Sequence, residues 1–223
     1  MILMKKEDGS SFEIAGPAGA LEARFAAAKA DGVLAPSQYL VIICHPHPLH
    51  GGTMDNKVVT TLMRTYRDLG VSVISFNFRG VGASEGEYDH AVGEVDDLLA
   101  VASWIRAELP QSKLLLAGFS FGSSVAAQAC YRLKDVRHLL LVAPPVERYP
   151  YDQAGRFPCS VCVVQGDKDE RVNASGVYTW VQALDSPAEL VRYPDAGHFF
   201  HGGLSQMKKD LSDILPRQLN QSA

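Results

Sequence analysis

Ser120 stands between two glycines in the run Gly118-Phe119-Ser120-Phe121-Gly122. Leu114 to Ala117 precede it as four apolar residues in a row, the end of a strand buried on both faces. A helix with a small-residue face follows. A serine at such a strand-to-helix junction is a nucleophile elbow. The turn is tight enough to predict a positive φ at the serine, with its hydroxyl exposed. Gly118 and Gly122 lack a Cβ, so strand and helix can pack closely beside it. The helix aims free amides and its positive dipole end at the hydroxyl. The chemistry on offer is attack on an acyl carbon. That attack needs a base to take the serine proton, an acid to orient the base, and fixed N–H donors for the oxyanion.

Active sites in open α/β sheets lie beyond the carboxyl ends of the strands, so those ends are where the other groups belong. Two later loops supply them. Gly166-Asp167-Lys168-Asp169-Glu170-Arg171-Val172 follows the strand Cys159 to Gln165 and offers two acids, Asp167 and Asp169. Asp195-Ala196-Gly197-His198-Phe199-Phe200 follows the strand Glu189 to Tyr193 and offers a histidine. The order serine, acid, histidine is that of an α/β-hydrolase arrangement.

The elements that must position these groups alternate along the chain. Strands are expected at Tyr39 to Cys44, Val71 to Phe76 and Val136 to Val142, besides those named above. Asp55-Asn56 should cap a helix reaching Leu69, and Asp89 a longer one ending at Pro110. Further helices are expected from Ala174 to Leu184 and from about Leu204. This alternation predicts an α/β fold, a mostly parallel central sheet with helices on both faces. Before it, Ser11 to Ile14 and Leu21 to Ala26 flank Gly16-Pro17-Ala18-Gly19 as an antiparallel hairpin, although the alanines 26 to 28 would also suit a helix. With no linker or repeat, residues 1–223 read as one domain.

Composition narrows the partners. A net charge of −4 gives no polycationic surface for nucleic acid or an anionic membrane. The start, Met1 to Asp8, turns charged before a signal-peptide core could form, and no apolar run approaches the ~20 residues of a membrane span. A cytoplasmic protein is expected. Cys159 and Cys162 have the spacing of a redox or zinc pair, but they fall on a strand, where residues three apart face opposite ways, so buried thiols are expected. His45, His47 and His50 form an imidazole-rich turn after the strand Tyr39 to Cys44. Without a carboxylate to complete a ligand set, they read as scaffolding rather than a metal site.

From about Tyr39 to His201 the chain resembles the α/β-hydrolases, specifically small bacterial members without a cap domain. The likeness rests on the His-Pro turn, Arg79-Gly80-Val81-Gly82-Ala83-Ser84-Glu85-Gly86, the elbow, and the late Asp and His loops. Asn77 departs from it, since related sequences often carry Asp before the Arg-Gly turn. The resemblance implies Ser120 as nucleophile and His198 as general base. It favours Asp169 over Asp167 as the acid, because Gly166, Asp169 and Val172 match the family's loop pattern; Asp167 is then expected to cap the loop. One oxyanion donor is the amide of Phe121. The other comes from the His-Pro turn, where Pro46 and Pro48 lack an N–H, leaving His47 with Leu49 as fallback. The implied activity is hydrolysis of small carboxylic esters through an acyl-enzyme, without metal or cofactor, on a small-molecule acyl substrate. Thioester or amide cleavage, or ligand binding without turnover, are the alternatives. The interval Ala143 to Pro158 is too short for a helical cap; its Tyr149, Tyr151 and Phe157 either wall one side of a cleft or pack loosely as loop residues.

Overall fold

The computed structural model describes residues 9–186 and 188–221; the N-terminal stretch 1–8, read above for a signal core, lies outside them. Strands β1 (Ser11–Gly16), β2 (Gly19–Ala26), β3 (Tyr39–Cys44), β4 (Ser72–Phe76), β5 (Lys113–Phe119), β6 (Val136–Val142), β7 (Ser160–Gly166) and β8 (Ala188–Tyr193) build one sheet. Its order is β1-β2-β4-β3-β5-β6-β7-β8. From β4 to β8 all neighbours are parallel.

The apolar runs are continuous because both faces of the sheet are covered. Along β3, Leu40, Ile42 and Cys44 enter one core, while Val41 and Ile43 enter the other. In β5, Leu114 and Leu116 alternate in the same way with Leu115, Ala117 and Phe119. Helices α2 (Gly93–Glu108) and α3 (Phe121–Arg132) close the first face through residues such as Leu98, Ile105, Val125 and Ala129. Helices α1 (Lys57–Asp68) and α5 (Leu204–Gln221) close the second through Val59, Leu62, Tyr66, Met207, Leu211 and Leu215. Each fully buried Leu, Ile, Val or Met among them stabilises the fold by about 1.5–3 kcal/mol. Helix α4 (Ala174–Gln182) packs on β7 and β8 and inserts Val177 into the first core.

The N-terminal hairpin forms with Ser11 opposite Arg24 and Gly16 opposite Gly19, and Ala26 belongs to β2 rather than to a helix. β2 then lies antiparallel against β4. Asn56 caps α1, its Oδ1 accepting from Val58 N at 2.9 Å. Asp89 does not cap α2 with its side chain. Glu94, inside the first turn and buried, reaches back instead, accepting from Asp89 N and Ala91 N at 2.8 Å each. Cys162 enters the core on one face, while Cys159, just ahead of β7 and only partly buried, packs against the other. Asn77 is buried and structural, accepting from Met54 N at 2.8 Å and donating to Glu22 at 2.7 Å.

From β3 the chain passes through α1 to β4 on one side, then returns through α2 to β5 on the other side of β3. Strand order reverses at this point. The carboxyl ends of β3 and β5 therefore splay their loops apart and leave a crevice. No helix interrupts residues 143–158, which carry only the isolated bridge Gln153↔Arg156, so nothing roofs the crevice from that side. Among the described residues no helix is long and apolar enough to cross a membrane.

Candidate active site

β5 ends in a strained turn. Ser120 has φ 52° and ψ −120°, a region that L-residues reach only when their surroundings hold them. Its N–H donates to the Val142 carbonyl at 2.8 Å, and its own carbonyl accepts from Ser123 N at 2.9 Å and from Ser123 Oγ. Tyr151 OH, 2.7 Å away, fixes the Ser123 hydroxyl in turn. The glycines are required sterically. A Cβ on Gly118 would lie 2.3 Å from the Gly122 carbonyl oxygen, and one on Gly122 would lie 2.4 Å from that of His45. The elbow is thereby pressed against the turn that follows β3.

His198 is buried and meets Ser120 Oγ at 3.0 Å through Nε2. Its Nδ1 lies 2.8 Å from Asp169 Oδ2. With a carboxylate as partner, the ring proton sits on Nδ1 and Nε2 is left to accept from the serine. Phe119 and Phe199 pack on the imidazole with ring centroids 5.1 Å away on each side. The His198 N–H donates to Glu170 Oε2 at 3.1 Å, anchoring the loop.

Asp169 is held from four directions. Oδ1 accepts from Arg171 N and Val172 N, both at 2.8 Å; Oδ2 accepts from His198 Nδ1 and from Gln165 Nε2 at 3.1 Å. Burial pushes this carboxyl up. The hydrogen bond and charge of His198, with the two backbone donors, outweigh it and hold the group below the usual carboxylate range. Asp169 is thus the residue that caps its own loop. Asp167, expected there, pairs with Arg192 at 2.6 Å and accepts from the Tyr178 hydroxyl.

The turn after β3 carries the histidines. His45 is fully buried, donating from Nδ1 to the Pro46 carbonyl at 2.6 Å and accepting from Phe78 N at Nε2, 3.0 Å away. Burial lowers its pKa to about 4 although the Pro46 bond works the other way, so the ring is neutral. Both nitrogens are engaged, which leaves none for a metal. His47 also uses both, accepting from Leu49 N at 3.2 Å and meeting Tyr88 OH at 3.3 Å. The Leu49 amide is therefore committed, while the amides of His47 and Phe121 donate to no protein acceptor among the described residues. The two rings stand 5.0 Å apart, and both residues border the serine.

Ser120, Phe121, His47 and His198 line a cavity of about 370 Å³, bounded further by Pro145, Arg148, Tyr149, Arg171 and Phe199. Tyr149 is the member of the 143–158 loop's aromatic trio that reaches it. Tyr151 and Phe157 are buried instead, against Trp180 and Tyr131. Sequence reasoning missed Gln165, Glu170 and Ser123. For Gln165 a signal existed, a polar residue closing an otherwise apolar strand; for the other two there was none.

This arrangement can be set beside known proteins. The family described as alpha/beta hydrolase fold matches residues 39–158, and the prolyl oligopeptidase family matches residues 145–216. An uncharacterised protein of Rickettsia prowazekii is 36% identical over 210 residues, covering 90% of this chain and 86% of the relative. Among solved structures, an alpha-beta serine hydrolase homologue from Coxiella burnetii is 43% identical with a TM-score of 0.89, over 94% of this chain and 99% of that one. A Xanthomonas campestris protein described as a serine hydrolase without lid is 39% identical with a TM-score of 0.87, over 95% of each chain.

Proposed function

The chain belongs to the α/β-hydrolase family, as a small lidless member of the serine-hydrolase type, and on that premise we propose that it cleaves small carboxylic esters through an acyl-enzyme. The observation that carries the reading is the unbroken chain of contacts from Ser120 Oγ through His198 to Asp169, at 3.0 and 2.8 Å. Ser120 attacks the acyl carbon while His198 Nε2 takes its proton, and Asp169 orients and stabilises the resulting imidazolium. The amides of Phe121 and His47 receive the oxyanion, each worth about 3–4 kcal/mol in the transition state. Collapse breaks the ester C–O bond, and His198 returns its proton to the departing alkoxide. A water then gives its proton to His198 and attacks the acyl-enzyme. The carboxylic acid leaves, and Ser120 regains its proton.

The prolyl oligopeptidase match spans the loops bearing Asp169 and His198, which favours amide cleavage on the same residues as a second reading. A fluorophosphonate probe should label wild-type protein at Ser120, and p-nitrophenyl esters should be turned over faster than matched p-nitroanilides. Anilides turned over faster than esters would move the function to amides. Absence of labelling would end the serine-hydrolase reading.

A further inference from the structure

The cavity at Ser120 carries more positive charge than the chain as a whole, whose net charge is −4. Its charged lining consists of Arg148, Arg171 and Glu170. Glu170 is partly engaged elsewhere, since its Oε2 accepts from the His198 backbone and only its Oε1 approaches Arg171 Nε, at 3.9 Å. Arg148 has no carboxylate partner among the described residues. It donates through Nη2 to the Arg171 carbonyl at 3.2 Å, which ties the two arginine-bearing loops together across one wall. The neighbouring Glu147 makes no ion pair with it among the described residues; Glu147 Oε1 accepts from Asn173 Nδ2 at 2.8 Å. Arg171 lies over the Phe199 ring, 5.3 Å from its centroid, and that ring packs on His198. One guanidinium thus stands on the 143–158 loop and the other beside the base.

We infer that Arg148 and Arg171 make this site selective for acyl esters that carry an anionic group, a carboxylate or a phosphate, beside a short chain. A guanidinium presents a planar fork of donors that matches either anion, and it stays charged across the working pH range. The field of Arg148 reaches across the cleft. The His47 imidazole is held below its ordinary pKa by burial first and then by its electrostatic neighbours, the Arg148 guanidinium among them. A neutral acyl chain gains nothing from this lining, whereas an anion can accept from the two guanidiniums. Both side chains are solvent-exposed, so the attraction should weaken with salt.

This inference rests on the serine-hydrolase reading of Ser120, and the test separates the two. The kcat/KM of mono-p-nitrophenyl adipate is compared with that of the isosteric neutral ester ending in an isopropyl group, and with an ester ending in a phosphonate. The wild-type ratio of an anionic to the neutral ester should be about 10 or more at low ionic strength, falling toward one in ~0.5 M NaCl. In the Arg148→Gln/Arg171→Gln double variant it should fall about tenfold. If that variant does not fold, Arg148→Gln alone should lower the ratio. The larger of the adipate and phosphonate ratios names the anion. Ratios at or below one in the wild type, or unmoved by the substitutions, overturn the inference while fluorophosphonate labelling of Ser120 leaves the hydrolase reading in place. If Ser120 is not labelled, both fall.

Discussion

Gln165 Nε2 lies 3.1 Å from Asp169 Oδ2, the same oxygen that accepts from His198 Nδ1 at 2.8 Å. That oxygen is therefore fixed in place before any substrate arrives. The acid two residues earlier has none of these partners, since Asp167 faces Arg192 and Tyr178. Asp169→Asn should cost about 10⁴-fold in kcat, because an amide favours the wrong imidazole tautomer. Asp167→Asn should stay within about threefold, since it alters a partly exposed ion pair with Arg192 and a hydrogen bond from Tyr178, both away from Ser120 and His198. Steady-state ester hydrolysis by both variants decides it, and a larger loss in Asp167→Asn would move the acid.

Ser120→Ala should remove about 10⁶-fold in kcat while leaving the protein folded. The fold holds this residue by its backbone, through the bonds to Val142 and from Ser123, so the hydroxyl is not among the supports of the turn. The check is residual ester turnover together with a thermal melt. Turnover retained in a preparation free of wild type would remove the mechanism.

How much of this was legible in the residues depends on how local the cause is. β3 and β5 are readable because an uninterrupted apolar run has few other places to go, and the elbow is readable because Gly118 and Gly122 leave room that a Cβ would fill. The order Ser120, Asp169, His198 could be read along the chain, while the contacts that join them span 78 and 29 residues and appear only once the sheet is assembled. Glu94 displaces Asp89 as the capping side chain because a carboxylate one turn into a helix can reach back, which spacing alone does not decide. Tyr151 and Phe157, which from sequence either wall a cleft or pack loosely, are core residues. Trp180 and Tyr131, distant in the chain, supply the aromatic faces that hold them. An aperiodic loop gives no sign of which way its rings turn.

Gly122→Ala should destabilise the protein by more than about 3 kcal/mol, since relief of a 2.4 Å approach to the His45 carbonyl requires main chain to move. Gly51→Ala is the control. Gly51 has φ 75°, and a methyl added there would meet nothing within 4 Å, so it should lose only the left-handed penalty of about 1–2 kcal/mol. Denaturant midpoints of the two variants would measure the gap, and equal losses would show that the elbow is not wedged against the His-Pro turn.

Stability should fall with acid before the carboxylates titrate. His45 and His138 are both fully buried, and burial lowers each to about 4 against the opposing hydrogen bonds to Pro46 and Gln218. In the unfolded chain each titrates near 6.5. Below about pH 6.5 the unfolded state therefore binds more protons, so the stabilising contribution is complete above that value and is lost as pH drops toward 4. Each residue accounts for about 3 kcal/mol over that window. A melting temperature steady above pH 7 and declining from 6.5 to 4 is expected, with a shallower decline in His138→Gln. A flat profile down to pH 4 would mean that the fold does not lower the pKa of either ring.

The unroofed cavity sets the last expectation, the length of chain it can accept. About 370 Å³ is shared between the acyl group and whatever leaves, and the 143–158 loop contributes one ring, Tyr149, rather than an aromatic wall. Tyr149 packs edge-on to Phe121, 5.6 Å between centroids, which puts an aromatic pair beside the elbow. The first methylenes of an acyl chain are expected to meet Phe121 and Tyr149. Later ones should run out toward the Arg148 and His47 rim into water, where each gains less than the ~0.8 kcal/mol of full burial. Turnover of p-nitrophenyl esters should therefore peak at short chains and fall steeply beyond about six to eight carbons, without a jump at the critical micelle concentration. A series that peaks on long-chain or emulsified esters would require a covering element that residues 143–158 do not provide.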